Sequence, residues 1–493
     1  MPKKVIVVGA GLGGLAAAIH LSHKGFEVAV FERNAAVGGK MQEVVSENGY
    51  RFDTGPTLLT MPFVFEDLFQ KVGKRLSDYL TLLPLEASCK YFYPDGSHFT
   101  AYCDLDKLRR EIADVFPTER DRFERYFQYA KKIYDATAEN FIYNPFSFAR
   151  LFKTNPLDLL SIDALSTAHN SNAKFFSDKR FVQFLDRFPT YVGSSPYLAP
   201  ATLNVIPFVE LYYGGFYVKG GVYELARAYQ RLAEDLGVTF QFNMDVAQIL
   251  IENGRAVGVK FTNGSEARCD AIVSNDDAVH TYEQLLNGAA PAAARAASKL
   301  DASCSGFVLC LGVSKIHPEL SHHNIFFSSD YENEFNDIFS RQLPPTEPTI
   351  YISISSKTDT GQAPSGKENW FVLINAPYLS EAYDWNLNKQ AYRDLVISRL
   401  KTLGFTDLDR HIEFERILTP LDLKARFNAN RGSIYGVSSN TKSAAFLRPK
   451  NRSPYVKGLY LASGSAHPGG GTPMVTLSGK FAAELLMEDF GAR

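Results

Sequence analysis

The chain opens on an uninterrupted apolar run, Val5-Ile6-Val7-Val8, which stops at Gly9. An alanine-rich stretch, Leu15-Ala16-Ala17-Ala18-Ile19-His20-Leu21, follows. A short apolar run predicts a strand, and the alanine-rich segment predicts a helix that Gly25 breaks. Val28 to Glu32 predicts a second strand, which completes a βαβ unit of about 30 residues. Further along, the pattern predicts a helix from Pro62 to about Leu80 and a hairpin of Cys89–Tyr93 and His98–Tyr102 around Pro94-Asp95-Gly96. Alternating charges from Asp104 to Ala138 predict a helix with a solvated face. A helix from Val222 to Leu236 precedes strands over Val238–Ile251, Ala256–Phe261 and Ala271–Ser274. Strands are also expected at Phe307–Val313, Thr349–Ser355 and Trp370–Ala376, and a last strand from Gly458 leads into a helix over Val475–Phe490.

Composition narrows the function. The 493 residues are 45% apolar and 22% charged, with a net charge of −2, so a nucleic-acid partner is disfavoured. Five cysteines, an odd number with no C-x-x-C pair, suit reduced thiols in a cytoplasm-facing protein and offer neither a disulfide scaffold nor a cysteine-based metal site. Four glycines among Gly9, Gly11, Gly13 and Gly14 argue against reading the N-terminus as a signal peptide. No stretch reaches the roughly 18 apolar residues of a spanning helix, so membrane contact is expected to be peripheral. Tyr and Phe are concentrated between Tyr91 and Tyr229, as core and sheet filler or as the lining of an apolar tunnel. The interval 141–165 mixes apolar bulk with Arg150 and Lys153, which suits either a helix lying in a bilayer interface or a helical hairpin over the core.

The first βαβ unit carries Gly9-Ala10-Gly11-Leu12-Gly13-Gly14, with Glu32 ending the second strand 18 residues after Gly14. Gly9 permits the tight turn, Gly11 the approach of a pyrophosphate, and Gly14 close packing of helix on strand. The helix N-terminus offers free N–H groups to phosphates. Glu32 is placed to accept from ribose hydroxyls and would repel a 2′-phosphate. Near the C-terminus His467-Pro468-Gly469-Gly470-Gly471-Thr472-Pro473-Met474 opens the last helix after a strand ending in Gly464. That entry offers a second positive helix end, able to stabilise negative charge on a reduced ring.

Glu32-Arg33 running into Gly38-Gly39-Lys40, then Phe52-Asp53-Thr54-Gly55-Pro56, resembles the glutathione-reductase-type flavoproteins, which hold FAD in an extended form. With G-A-G-L-G-G-L from Gly9, S-S-P-Y from Ser194 and H-P-G-G-G-T-P-M from His467, nearly the whole chain resembles the bacterial-type phytoene desaturase family and its oxygenase relatives. The fold class so implied is α/β: an FAD-binding Rossmann domain of segments 1–80, 221–300 and 421–493, with an inserted α+β substrate and membrane-associating domain of segments 81–220 and 301–420. Carried over, the FAD contacts are Gly9, Gly11, Gly14, Glu32, Lys40, Pro56, Thr57, Val246, Asn275, Gly464, Thr472, Pro473 and Met474. The C-terminal Thr-Pro-Met-Val departs from many phytoene desaturases and leaves substrate length and end group open.

The resemblance implies a hydrophobic carotenoid substrate drawn from the inner face of the cell membrane, with a quinone or oxygen as electron acceptor. The reaction expected is desaturation of phytoene, diapophytoene or a hydroxycarotenoid by hydride transfer to flavin, and the alternative is oxygenation of a terminal methyl. A non-catalytic prenyl-lipid carrier has no need of an intact flavin site. An amine oxidase is disfavoured by the absence of a cysteine in the C-terminal helix. A hydrocarbon offers no heteroatom, so the cofactor does the difficult step and the protein supplies a dry tunnel and a proton acceptor. The candidates are Glu210 and Asp186, with Arg187 as charge partner, and His467 beside the expected flavin; each also reads as a structural ion pair or a satisfied polar group.

Overall fold

The structure is a computed structural model describing residues 2–147, 163–441 and 448–491. The N-terminal apolar run forms the strand Lys4–Val8, third in a five-stranded sheet ordered Leu459–Leu461, Ala271–Ser274, Lys4–Val8, Glu27–Phe31 and Thr239–Gln241. All neighbouring pairs are parallel. Parallel sheets are covered on both faces, which is why the run has no polar interruption. Val5 and Val7 enter a core shared with the helices Leu12–His23 and Glu224–Asp235. Ile6 and Val8 enter another, shared with an antiparallel sheet of Val246–Glu252, Arg255–Phe261 and Glu266–Arg268.

A seven-stranded sheet forms the other half of the molecule. Its order is Ile412–Leu418, Ser305–Val313, Glu368–Ala376, Ile350–Ser353, His323–Phe326, Ala87–Phe92 and His98–Tyr102. All its pairings are antiparallel except that of His323–Phe326 with Ala87–Phe92, which attaches the expected hairpin to the rest. Most aromatics of the Tyr91–Tyr229 region are core: Tyr91, Phe99, Phe116, Phe181 and Phe184 are buried and meet edge-to-face or stacked.

Three elements differ from the sequence pattern. The strand expected over Val238–Ile251 is two, Thr239–Gln241 and Val246–Glu252, in different sheets, with Asn243 at φ +56° turning the chain between them. The helix expected to reach Leu80 ends at Lys71, because Gly73 at φ +76° terminates it, and only the single turn Leu76–Asp78 follows. The charged segment is two helices, Leu105–Val115 and Arg120–Thr137, separated by Pro117. Their inner faces bury Leu108, Ile112, Phe123 and Tyr126, so these helices are amphipathic. Of the interval 141–165, residues 148–162 lie outside the described residues. No described helix is long and apolar enough to cross a membrane.

The C-terminal helix Thr472–Asp489 packs on Leu12–His23 at a glycine contact that fixes the spacing of the two helices. A Cβ on Gly479 would lie 2.2 Å from the Gly13 carbonyl oxygen and 2.8 Å from Ala16 Cβ. Gly479→Ala is therefore expected to cost about 1–3 kcal/mol through overpacking. A fall in thermal midpoint, with weaker cofactor retention as the two helix starts move apart, checks it.

Candidate functional site

Two helix N-termini open on one cavity of about 560 Å³. Leu12–His23 begins after Gly11 and Thr472–Asp489 after Gly471; neither start has a side-chain cap or an acidic residue in its first turn. Their N–H groups and positive dipole ends are left for a ligand. Gly471 lies at φ +106°, and a Cβ there would meet nothing within 4 Å, so its backbone faces open space. Only glycine takes that conformation without strain.

Asn275, just past the strand Ala271–Ser274, fixes the first glycine turn. Its Oδ1 accepts from Gly11 N at 2.8 Å and its Nδ2 donates to the Ala462 carbonyl, so one amide joins both helix entries to the sheet. Gly14 does not line the cavity; a Cβ there would stand 2.3 Å from the Gly9 carbonyl oxygen, which makes it a packing position.

Glu32 is buried at the cavity wall. Its Oε2 accepts from Ala10 N at 2.8 Å, and its Oε1 accepts from Asn34 N and Nδ2 at 2.8 and 2.7 Å. These donors hold the carboxylate in place. Val246 begins its strand on the same wall, and Pro56, Thr57, Gly464, Thr472, Pro473 and Met474 line the cavity as well. Lys40 also lines it, with its ammonium donating to the Ser433 and Ile434 carbonyls at 2.9 and 2.8 Å. Burial pulls its pKa below the usual lysine value, against the pull of Asp277 and Asp276.

This donor set fits FAD. Uncapped helix starts suit two phosphates, a fixed carboxylate suits ribose hydroxyls, and the open Gly471 backbone lets a flat ring approach. Gly9, Gly11, Glu32 and the Gly471–Met474 entry would hold it.

Beyond that end the cavity continues to an apolar wall formed by residues such as Ile206, Val209, Ile325, Phe371 and Leu373. Arg187, capping the helix Lys179–Asp186, and Tyr191 reach this part. Arg187 Nε donates to Tyr91 Oη at 2.6 Å and its NH2 to Glu210 Oε1 at 3.1 Å, while Tyr191 Oη donates to Glu210 Oε2 at 2.6 Å. The guanidinium also lies 4.5 Å from the Phe188 ring centre and 4.7 Å from that of Tyr191. Glu210 is 1% exposed, does not line the cavity, and has both oxygens engaged. It is the counter-charge of Arg187.

The structure keeps the other two candidate acceptors away from the cavity. Asp186 is buried and accepts from Asn172 Nδ2 at 2.9 Å, with His169 Nδ1 at 2.6 Å. His467 packs against Phe141, Phe146 and Phe481 and donates from Nε2 to the Asn144 carbonyl at 2.9 Å. Burial lowers its pKa to about 4. The His323 and Tyr351 rings, which no motif singled out, do border the cavity. They come from separate strands of the seven-stranded sheet, and the sequence shows no spacing that joins them.

The family profile described as flavin-containing amine oxidoreductase matches residues 12–487. The chain is 39% identical to a 4,4'-diapolycopene oxygenase of Methylomonas sp over 99% of its own length and 98% of that protein's. It is 35% identical to a 4,4'-diaponeurosporene oxygenase of Staphylococcus haemolyticus, over 98% and 96% respectively. In structure it is similar to a putrescine oxidase with redesigned cofactor binding, at TM-score 0.67 and 14% identity, covering 99% of both chains.

Three outcomes follow from this geometry. Glu32→Ala is expected to weaken flavin binding by about 1.5–3 kcal/mol, the value of hydrogen bonds to a charged group, read as a lower flavin-to-protein absorbance ratio and a larger Kd. Arg187→Met leaves Glu210 buried without its partner and is expected to destabilise the fold by about 3–5 kcal/mol. The double variant with Glu210→Gln recovers most of that loss in denaturant unfolding. His467 stays neutral in the folded state down to about pH 4, while the unfolded chain takes up its proton as pH falls through the ordinary value of 6.5. Stability therefore declines between those values, by at most about 1.4 kcal/mol per pH unit from this group. Urea midpoints across that window check it, and His467→Phe flattens the decline.

Proposed function

The chain belongs to the flavin-containing amine oxidoreductase family, and on that premise we propose that it oxygenates the terminal methyl group of a long acyclic polyene of the C30 diapocarotene class. It is an enzyme, and its cofactor is FAD. Its full-length relatives named as diapolycopene and diaponeurosporene oxygenases favour the oxygenase over the desaturation expected from the sequence. The observation that carries the reading is the continuity of one cavity from the glycine-rich end to an apolar wall. Such a wall binds a ligand without heteroatoms by burying apolar surface, at about 25 cal/mol per Å².

When bound, FAD supplies the two-electron chemistry that no side chain of this cavity offers. The chain's own residues do the rest. Ile206, Val209, Ile325, Phe371 and Leu373 align the polyene and keep water out. Arg187, held by Tyr91 and Glu210, places one fixed positive charge on that wall. The helix start at Gly471 stabilises negative charge nearby. The net reaction balances as R–CH3 + O2 → R–CHO + H2O. A substrate of this class resides in lipid, so the protein works at a membrane surface, for which we favour the inner face of the cell membrane. Leu165, at the end of the interval that suits either a bilayer interface or a helical hairpin over the core, is exposed.

The test incubates FAD-loaded protein with liposomes carrying diapolycopene, diaponeurosporene, phytoene or a hydroxylated carotene, with and without air, followed by product mass. A product that gains one oxygen and loses two hydrogens, formed only with air and best from the C30 polyenes, is the expected result. Loss of hydrogen alone, independent of air, makes the enzyme a desaturase. No change with any polyene overturns the carotenoid assignment.

A further inference from the structure

Both reactions considered above move protons in a cavity that has an apolar wall at one end. Desaturating a hydrocarbon releases a proton beyond the hydride. Reoxidation of a reduced flavin by oxygen in the absence of polyene, the half-reaction timed below, consumes one: FADH− + O2 + H+ → FAD + H2O2. Glu210, Asp186 and His467 are tied up elsewhere, so the proton path must use other groups.

Thr57 Oγ1 lies 2.6 Å from Tyr351 Oη, which lies 2.7 Å from His323 Nδ1, and all three residues border the cavity. Behind them the His322 and His323 rings stand 4.2 Å apart, centre to centre. His322 Nδ1 is 2.7 Å from Thr358 Oγ1, and Thr358 is half-buried, within reach of solvent. The two histidines are 5% and 2% exposed, and the Nε2 of each is buried with no partner. A buried polar atom left unpaired keeps the full penalty of its desolvation. Two such atoms stand on neighbouring rings, and a buried polar atom without a protein partner commonly holds an ordered water.

We propose that Thr57, Tyr351, His323, His322 and Thr358 form a proton relay between the flavin end of the cavity and the surface, closed by one water held between the two Nε2 atoms. It rests on the reading that the flavin lies beside Thr57. Each member both donates and accepts. Moving inward, Thr358 passes a proton to His322 Nδ1 while Nε2 gives its own to the water. The water protonates His323 Nε2, His323 Nδ1 releases to Tyr351, and Tyr351 releases to Thr57. One proton enters, one leaves, and no electrons move. Burial holds the pKa of His322 down to about 3 and that of His323 well below its usual value, so neither ring traps the proton as a cation.

The holoenzyme is reduced with dithionite and mixed with air-saturated H2O or D2O buffer, and the return of oxidised-flavin absorbance is timed. In Tyr351→Phe and His323→Ala the rate is expected to fall about tenfold or more, with a changed solvent isotope effect. Added imidazole restores His323→Ala but not Tyr351→Phe. Thr358→Val, at the outer end, reads the same path should an interior variant fail to keep its flavin. A crystal structure of the holoenzyme is expected to show one water within hydrogen-bond reach of both Nε2 atoms. Unchanged rates and isotope effects in flavin-retaining variants, or a protein group in the water's place, overturn the relay. Flavin retention and polyene products of the unaltered protein report separately on the parent reading.

Discussion

The side-chain amide of Asn275 is the join on which the cofactor end depends. It accepts from Gly11 N and donates to the Ala462 carbonyl. Those two backbones belong to glycine motifs more than four hundred residues apart in sequence. A Cβ on Gly11 would stand 2.5 Å from Asn275 Oδ1, and one on Gly13 would stand 2.3 Å from the Ala462 carbonyl oxygen. The same absence of side chains that lets a ligand approach thus lets the polypeptide close on itself. Two helix N-termini are thereby brought to one cavity, with both positive dipole ends open to a ligand.

The opposite end follows another rule. A sheet face of Ile325, Phe371 and Leu373 gives the cavity its apolar wall, so any charge there needs internal compensation. Arg187 has it from Glu210, the Tyr91 hydroxyl and the surrounding rings, while the Tyr191 hydroxyl donates to Glu210. This network takes one residue or more from a strand, two helices and a turn, which makes its geometry a product of tertiary packing. Its polar atoms satisfy one another. The His322 and His323 Nε2 atoms are the contrasting case, two buried ring nitrogens without a protein partner on neighbouring imidazoles.

Much of the cofactor end was legible because each of its demands is local. A tight turn needs Gly9, an approach to phosphate needs Gly11, and a ribose contact needs an acid at the end of the second strand, so spacing alone carried them. Asn275 and Gly464 were expected as cofactor contacts, and the structure adds the first as a clamp. The catalytic candidates were less legible. Glu210, Asp186 and His467 were chosen for their chemical type, and type does not say which way a side chain faces. Each has polar atoms committed to protein partners, and none of the three lines the cavity.

By itself the sequence determined the parallel sheet, its glycine turns, the acid at Glu32 and the class of cofactor, since these depend on residues within one βαβ unit or one helix entry. Tertiary structure alone decided that strands from 4–8, 239–241, 271–274 and 459–461 share one sheet, and that Val246 starts a different one. It also decided that Thr57, Tyr351 and His323 touch. Their contact joins a loop near the N-terminus to two strands some 270 and 290 residues later. Local pattern is blind to such a meeting, because it arises from the packing of one sheet face against a distant loop, and the hydrophobic period records only which face is buried.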